Sequence, residues 1–296
     1  MKIRIFDAHC HINLMNSPEK LQDIVLNLNI AKLAIMGTRP EDWELIKTFC
    51  LSQKTNVVQC IGIHPWFARE CSNCSWLSYM QQLLTLNPGW GVGEIGLDKS
   101  YRDKITRENY WDVQLSCFIQ QLSLAADMNR PISVHCVKAD GVMFNIFREQ
   151  VKLPPKIYFH SFGGSVETAK NYLRMKDVNQ IFYFGFSHVV NSRSPKTKAV
   201  IEFIPNNRIL LESDFEINSN IRDDYIESYE VGLGPTCCGH GINYKEQIMK
   251  SLAFISECKG WSLAQTAEIT YQNAMEFYSL SGSEVILNQR ADDLLG

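Results

Sequence analysis

The stretch "FDAHCHI", residues 6–12, closes a β-prone run with His9 and His11. Two residues apart on a strand, they point to the same face. Paired imidazoles on a rigid element suit a metal ion and do not suit an apolar core, yet one such pair is weak evidence. The other histidines add to it. Of seven in the chain, His9, His11, His64, His135 and His160 lie at the carboxyl ends of apolar runs, His188 follows another run, and His240 stands apart. Asp7, Glu94, Asp98, Glu212 and Asp214 occupy similar positions. His9, His11, Glu94, His135, His160 and Asp214 together offer four imidazoles and two carboxylates. That exceeds one tetrahedral site with an open water position. It suits two divalent ions about 3.5–4 Å apart, which acidify bound water while a carboxylate takes the proton. Asp214 is the candidate base, expected opposite the first strand across a closed ring. Glu94 is the candidate bridge, because the glycine-rich "GWGVGE" lets groups approach closely. Histidine suits zinc, whereas carboxylates and a phosphate substrate suit magnesium or manganese, so the donors leave Mg2+, Mn2+ and Zn2+ open.

The elements that must position these groups are eight apolar runs: 3–9, 31–38, 57–65, 89–98, 131–137, 156–162, 181–187 and 208–214. They are continuous rather than alternating, as parallel strands covered on both sides are. Amphipathic stretches lie between them. The clearest is 106–128, where Trp111, Leu115, Phe118, Leu122 and Ala125 recur at helical spacing and Thr106 is a plausible N-cap. Further helices are expected at 18–29, 40–53, 75–86, 138–150, 165–175, 194–203, 245–258 and 262–280. Ser262 and Gln265 are spaced as a capping box, and Gly260 is placed to end the helix before it. Strand and helix alternating eight times predict a (β/α)8 TIM barrel with its site at the carboxyl ends of the strands. A doubly wound sheet would show a glycine-rich phosphate loop after the first strand, and "DAHCHINLMNS" is not one. No linker or internal repeat divides the chain, so residues 1–296 are read as a single domain with a long connection, 215–244, after the eighth strand.

The segments "FDAHCHI", "IGIHP", "GEIGLD", "SVHC", "FHSFGGS" and "LLESD" occur in the order and approximate spacing of the TatD family of metal-dependent deoxyribonucleases, itself similar to the amidohydrolase superfamily. The resemblance runs from residue 5 to about 280 and takes in "NYKE" and "YQNAMEFYSL". It implies a TIM barrel, a divalent metal pair and hydrolysis of DNA phosphodiester bonds. The family's ligands fall on His9, His11, Glu94, His135, His160 and Asp214, the set already read from the residues. The chain departs from the family's pattern where substrate would sit. Val137 replaces a basic residue, with Lys138 one position later; Phe215 replaces a small residue; Lys99 and Ser100 replace aromatic residues.

A net charge of −3 does not advertise a nucleic-acid binder, so any DNA contact is expected to be short. His64 and Lys138 are the candidates for binding substrate phosphate. Asp98 is read as a group that orients a ligand or a loop, and His188 as a loop residue. No leader segment or membrane-length apolar run is visible, which predicts a protein of the cytosol or nucleus whose ten cysteines are reduced. Cys71 with Cys74, and Cys237 and Cys238 with His240, form small clusters too weakly defined to predict a structural zinc. Cys10 and Cys136 flank ligands but should point into the barrel wall. The expected function is a metal-dependent deoxyribonuclease acting on DNA ends or single strands, with no obligatory protein partner. The same centre polarises a carbonyl as readily as a phosphoryl group, which keeps a metal-dependent ester or amide hydrolase (deacylase or lactonase) as the alternative. A non-catalytic scaffold would be expected to lose ligands, and none is lost.

Overall fold

The computed structural model describes residues 3–12, 30–52, 56–70, 75–150, 152–175, 181–216 and 244–279. The expected helix at 18–29, most of the 215–244 connection and both cysteine clusters lie outside the described residues.

Eight parallel strands follow one another round the sheet: β1 (Phe6–His11), β2 (Lys32–Met36), β3 (Val57–Ile61), β4 (Gly91–Asp98), β5 (Ile132–Val137), β6 (Lys156–Phe159), β7 (Ile181–Phe186) and β8 (Ile209–Leu211). The eighth strand breaks after Leu211 and resumes as β9 (Phe215–Glu216), which pairs with β1 through Cys10↔Phe215 and His11↔Glu216. Its first part pairs with β7, so the broken strand closes the ring. Asp214 N–H, in the break, donates to His9 O at 3.0 Å. Asp214 therefore adjoins the first strand; it does not face it across the ring, because the eighth and first strands are neighbours in a closed barrel.

The helices cover the outside, as the continuous burial of β1 and β4 requires. They are α1 (Pro40–Ser52), α2 (Ser75–Leu86), α3 (Trp111–Asp127), α4 (Asp140–Glu149), α5 (Val166–Leu173), the short α6 (His188–Asn191), α7 (Thr197–Phe203), α8 (Tyr244–Lys259) and α9 (Leu263–Tyr278). Ser262 caps α9 by accepting from Gln265 N at 3.2 Å, and Gly260 ends α8 in the left-handed conformation (φ 66°). The helix expected from residue 106 begins at Trp111 instead. Residues 99–110 are held in a loop by side chains that compete for backbone N–H groups. Asp98 accepts from Ser100 N and Tyr101 N, and Asp103 from Ile105 N and Thr106 N. Asn109 Nδ2 donates to three carbonyls of the same loop, of Asp98, Lys99 and Tyr101.

Phe6, Met36, Cys60, Tyr158, Tyr183 and Leu210, from strands on opposite sides of the sheet, meet in one apolar cluster with Ala274 and Phe277 of α9. Only a closed ring brings such strands together, and α9 stops one end of it. The larger core lies between the strands and the remaining helices. Two buried glutamines on α3, two turns apart, do polar work. Gln121 pairs with both Ile63 N (2.7 Å) and Ile63 O (3.1 Å), and Gln114 with Asp98 N (2.9 Å) and Asp98 O (3.2 Å). They satisfy backbone groups where the chain leaves the third and fourth strands, beside His64 and at Asp98.

Gly96 permits the closest approach in the sheet. It sits at φ 154°, and a Cβ there would stand 1.9 Å from His135 O. Gly96→Ala is expected to lose about 3 kcal/mol or more of stability. A urea midpoint unchanged from the parent chain would contradict this account of the β4–β5 junction.

Candidate metal centre

Alternation on β1 aims Asp7, His9 and His11 at one face, and they meet different fates. Asp7 is fully buried at the ring's seam. It accepts from His9 N, Ser213 N, Ser213 Oγ and Tyr244 OH at 3.2, 2.9, 2.5 and 2.7 Å. Burial lifts its pKa to about 6 against the pull of those donors. Asp7 thus joins β1, the β8 break and α8.

His9 and His11 bring Nε2 atoms within 3.0 Å of each other. His9 Nδ1 lies 3.0 Å from Ser133 Oγ, on β5. With Nδ1–H donating to that hydroxyl, the His9 Nε2 lone pair faces the barrel centre. Glu94 arrives from β4 with 3% of its side chain exposed. Its two oxygens divide the histidines. Oε2 lies 3.4 Å from His9 Nε2 and 3.1 Å from His11 Nε2; Oε1 lies 2.8 Å from His135 Nδ1 and 2.7 Å from His160 Nε2. The last two nitrogens are 3.1 Å apart. Asp214 Oδ1 stands 3.8–3.9 Å from His9, His11 and His160. At 16% exposure it is the more open carboxylate, and Ser161 Oγ donates to its Oδ2 at 3.2 Å. All six residues singled out in the sequence are therefore gathered at one place. Ligand atoms of His9, Glu94 and His160 fall within one metal-sized group, as do those of His9, His11 and Asp214.

The electrostatics are those of a site short of positive charge. Burial acts to raise the Glu94 pKa, but His160, His64, His11 and His135 outweigh it and hold the carboxyl well below its ordinary value. Asp214 is also lowered, because His160, His9 and His11 outweigh its burial. Burial would likewise discharge His11 and His135, yet Glu94, with Asp214 for His11 and Asp98 for His135, raises both to about 9. His9 is pushed down to about 3 by burial and by His160. Lone pairs and carboxylates converging at 2.7–3.4 Å hold together here only by sharing protons, and a divalent cation does the same more completely. The donor set fits such ions.

His64 and Lys138 separate. His64 joins the cluster, with Nε2 3.3 Å from Glu94 Oε1. Its Nδ1 accepts from Trp66 N at 3.2 Å, and burial lowers its pKa to about 4. Its hydrogen therefore sits on Nε2, so His64 donates to Glu94, and its ligand atoms also form a metal-sized group with those of Glu94 and His135. Lys138 begins the turn after β5 in the left-handed conformation (φ 54°) with its side chain exposed at the rim. Asp98 Oδ2 lies 3.6 Å from His135 Nε2, an electrostatic contact beyond hydrogen-bond length, and Asp98 accepts from Trp66 Nε1 (2.8 Å) and Ser100 Oγ (2.6 Å). Glu212 stays outside the cluster: Tyr158 OH and Ser161 N and Oγ bind it, and burial raises its pKa well above normal. His188 packs against Phe254, away from the centre, and Cys10 Sγ bonds Ala34 O in the wall.

Sequence reading missed Ser133 and Ser161. The first was accessible, since "SVHC" puts Ser133 on the same strand face as His135. Ser161, just past the end of β6, carried no periodic signal.

The residues 6–279 match the TatD related DNase family. The fission yeast Cut9-interacting protein scn1 (Schizosaccharomyces pombe) is 25% identical, over 94% of this chain and 99% of its own length. The human deoxyribonuclease TATDN3 is 26% identical over 93% of this chain and 95% of its own. Among solved structures, the TatD homolog YJJV of Escherichia coli superposes with a TM-score of 0.72 at 20% identity, covering 95% of this chain and all of that one.

Two outcomes are expected of metal titrations. His11 and His135 carry protons below about pH 9, and ligation requires them neutral. Metal uptake near pH 7 should then release close to two protons, and affinity should rise with pH until about 9, by about tenfold per displaced proton per pH unit. Calorimetric titration with Zn2+ or Mn2+ in buffers of different ionisation enthalpy reads this directly; heats independent of buffer would contradict it. Ser133→Ala frees the His9 tautomer and should weaken metal binding by about 10–100-fold, measured in the same titration.

Proposed function

The chain belongs to the TatD-related DNase family, and on that premise we propose that it is a metal-dependent deoxyribonuclease, a single catalytic domain that binds two divalent ions and cleaves DNA phosphodiester bonds. The observation that carries the reading is the division of Glu94 between two groups of donors. A carboxylate with one oxygen toward His9 and His11 and the other toward His135 and His160 is built to bridge.

In this reading His9, His11, His135, His160, Glu94 and Asp214 would hold the ions, with Glu94 placed between the two groups of donors. Bound divalent ions supply Lewis-acid stabilisation of a phosphoryl group and acidify water. The side chains do the rest. Asp214, ionised and the more exposed carboxylate, accepts the proton of the attacking water. Ser161 fixes the Asp214 carboxylate by its bond to Oδ2. His64 steadies Glu94 through Nε2–H, which with the bond from Trp66 N occupies both its ring nitrogens and leaves neither for a substrate phosphate; Lys138 offers the positive charge for that contact from the exposed edge. Ser133 keeps His9 in the ligating tautomer, and the Asp98 carboxylate, 3.6 Å from His135 Nε2, favours positive charge on that ring. Imidazoles favour zinc and the bridging carboxylates favour magnesium or manganese, so the identity of the ions is left to measurement.

Among the described residues no helix is long and apolar enough to cross a membrane. The unbridged thiols of Cys10, Cys60, Cys136 and Cys258 fit a reducing compartment, the cytosol or nucleus.

The test is cleavage of end-labelled single- and double-stranded DNA by purified protein, stripped with EDTA and then given Mg2+, Mn2+ or Zn2+. Activity should require metal and should fall by about 100-fold or more in His9→Ala and Asp214→Asn, with thermal melting showing that both variants fold. Metal content should be close to two ions per chain. Bound metal with no DNA cleavage would transfer the reading to ester or amide hydrolysis. Full activity in either variant would overturn the site.

A further inference from the structure

Trp66 stands at the barrel rim with 45% of its surface in solvent. Among the described residues it is the only exposed tryptophan, and its place is specific. Its ring lies 4.9 Å from that of His64 and 6.4 Å from that of His135, measured between centroids. Its indole N–H is tied to Asp98 Oδ2 at 2.8 Å, the same oxygen that faces His135. One side of the ring stacks on Tyr101, with centroids 5.8 Å apart and planes 17° from parallel. The Trp66 ring is fixed through its N–H, and the backbone at Tyr101 is anchored by its N–H to Asp98 Oδ1 at 3.1 Å, with the Tyr101 ring held against Trp66. Arg69 lies over Tyr110 at 4.7 Å and pairs with Asp103 at 3.5 Å, and Lys99 lies over Trp111 at 5.1 Å.

A ring placed only to anchor the 99–110 loop would gain by being covered. This one is held by its edge and left open. A flat, amphipathic aromatic surface next to a phosphate-cleaving centre has the chemistry of a nucleobase platform. We infer that Trp66 and Tyr101 form a stacking platform for an unpaired base of the nucleotide next to the scissile phosphate. The two rings are already in contact, so the base extends the stack and does not split it. A paired base has both faces occupied by its neighbours and cannot do this, so the platform selects unstacked nucleotides whatever their sequence. The inference rests on the nuclease reading and adds a specificity determinant to it. Trp66 and Tyr101 are positioning residues; neither belongs to the cluster around Glu94.

The experiment uses the full chain and single-stranded oligonucleotides. One set is fully base-bearing; in the other, a tetrahydrofuran abasic residue sits on one side or the other of the mapped cleavage position. The readout is the ratio of kcat/KM for base-bearing over abasic substrate, compared among the unaltered chain, Trp66→Leu, Trp66→Phe and Tyr101→Leu. The unaltered chain should show a ratio of about 10–100 at one of the two positions. Trp66→Leu should bring it close to 1, and Tyr101→Leu should lower it several-fold. Trp66→Phe keeps a ring but loses the bond to Asp98, so it should keep most of the ratio while kcat falls on both substrates. A purely structural role would lower both rates together and leave the ratio alone. An unaltered ratio in Trp66→Leu, or a ratio near 1 in the unaltered chain, overturns the platform while the nuclease reading stands. Absence of DNA cleavage by the unaltered chain removes both.

Discussion

Glu94 has to carry a negative charge with almost none of its side chain in contact with water. A buried carboxylate is tolerable only when donors or cations surround it, and here five imidazoles do so. Much of the local structure follows from supplying them. Four strand ends, of β1, β3, β5 and β6, must deliver histidines to one point, and a fifth strand, β4, must bring the carboxylate close enough to reach both groups. The glycines of β4 make that possible. At Gly96 a side chain would overlap His135 O, and at Gly93 a Cβ would stand 2.8 Å from the Ser133 side chain that orients His9. A bulkier β4 would hold its neighbour away and leave Glu94 with too few partners.

The second constraint is closure. A barrel has to join its last strand to its first, and here the joint is made while the eighth strand is broken. Asp7 accepts four hydrogen bonds across the seam, from its own strand, from Ser213 and from Tyr244. Asp214, in the left-handed conformation at φ 50°, turns its N–H to His9 O and its carboxylate inward. An aspartate adopts that backbone more readily than most residues. The irregularity that interrupts the ladder is therefore the feature that aims a functional side chain.

Around this centre the supporting groups come from elements far apart in the chain. Gln114 and Gln121 hold the backbone at Asp98 and Ile63 from the outer layer, Asp98 then accepts from the Trp66 indole N–H, and the Trp66 backbone N–H donates to His64 Nδ1. Helix, strand end and loop form one continuous hydrogen-bonded path. It gives the rim aromatic residues the rigidity of the barrel beneath them.

The spacing of apolar runs and the placing of His9, His11, Glu94, His135, His160 and Asp214 at their ends were determined by the sequence alone. Strand and helix periodicity is local, and ligands at strand ends become neighbours in any closed parallel barrel. Those features needed no knowledge of contacts. The tertiary structure decided what depends on long-range partners. Helix α3 starts at Trp111 and not near Thr106, because Asp98, Asp103 and Asn109 claim the loop's backbone groups. Asp214 adjoins the first strand through the break after β8. His64 becomes a donor because Trp66 N occupies its other nitrogen, while Lys138 stays at the rim. Glu212 and Asp7, carboxylates at strand ends like the others, are consumed by hydrogen bonds to Tyr158, Ser161, Ser213 and Tyr244. Residue type and spacing bring groups to the same rim; which of them keeps a free lone pair is settled by the partners that folding puts within hydrogen-bonding distance.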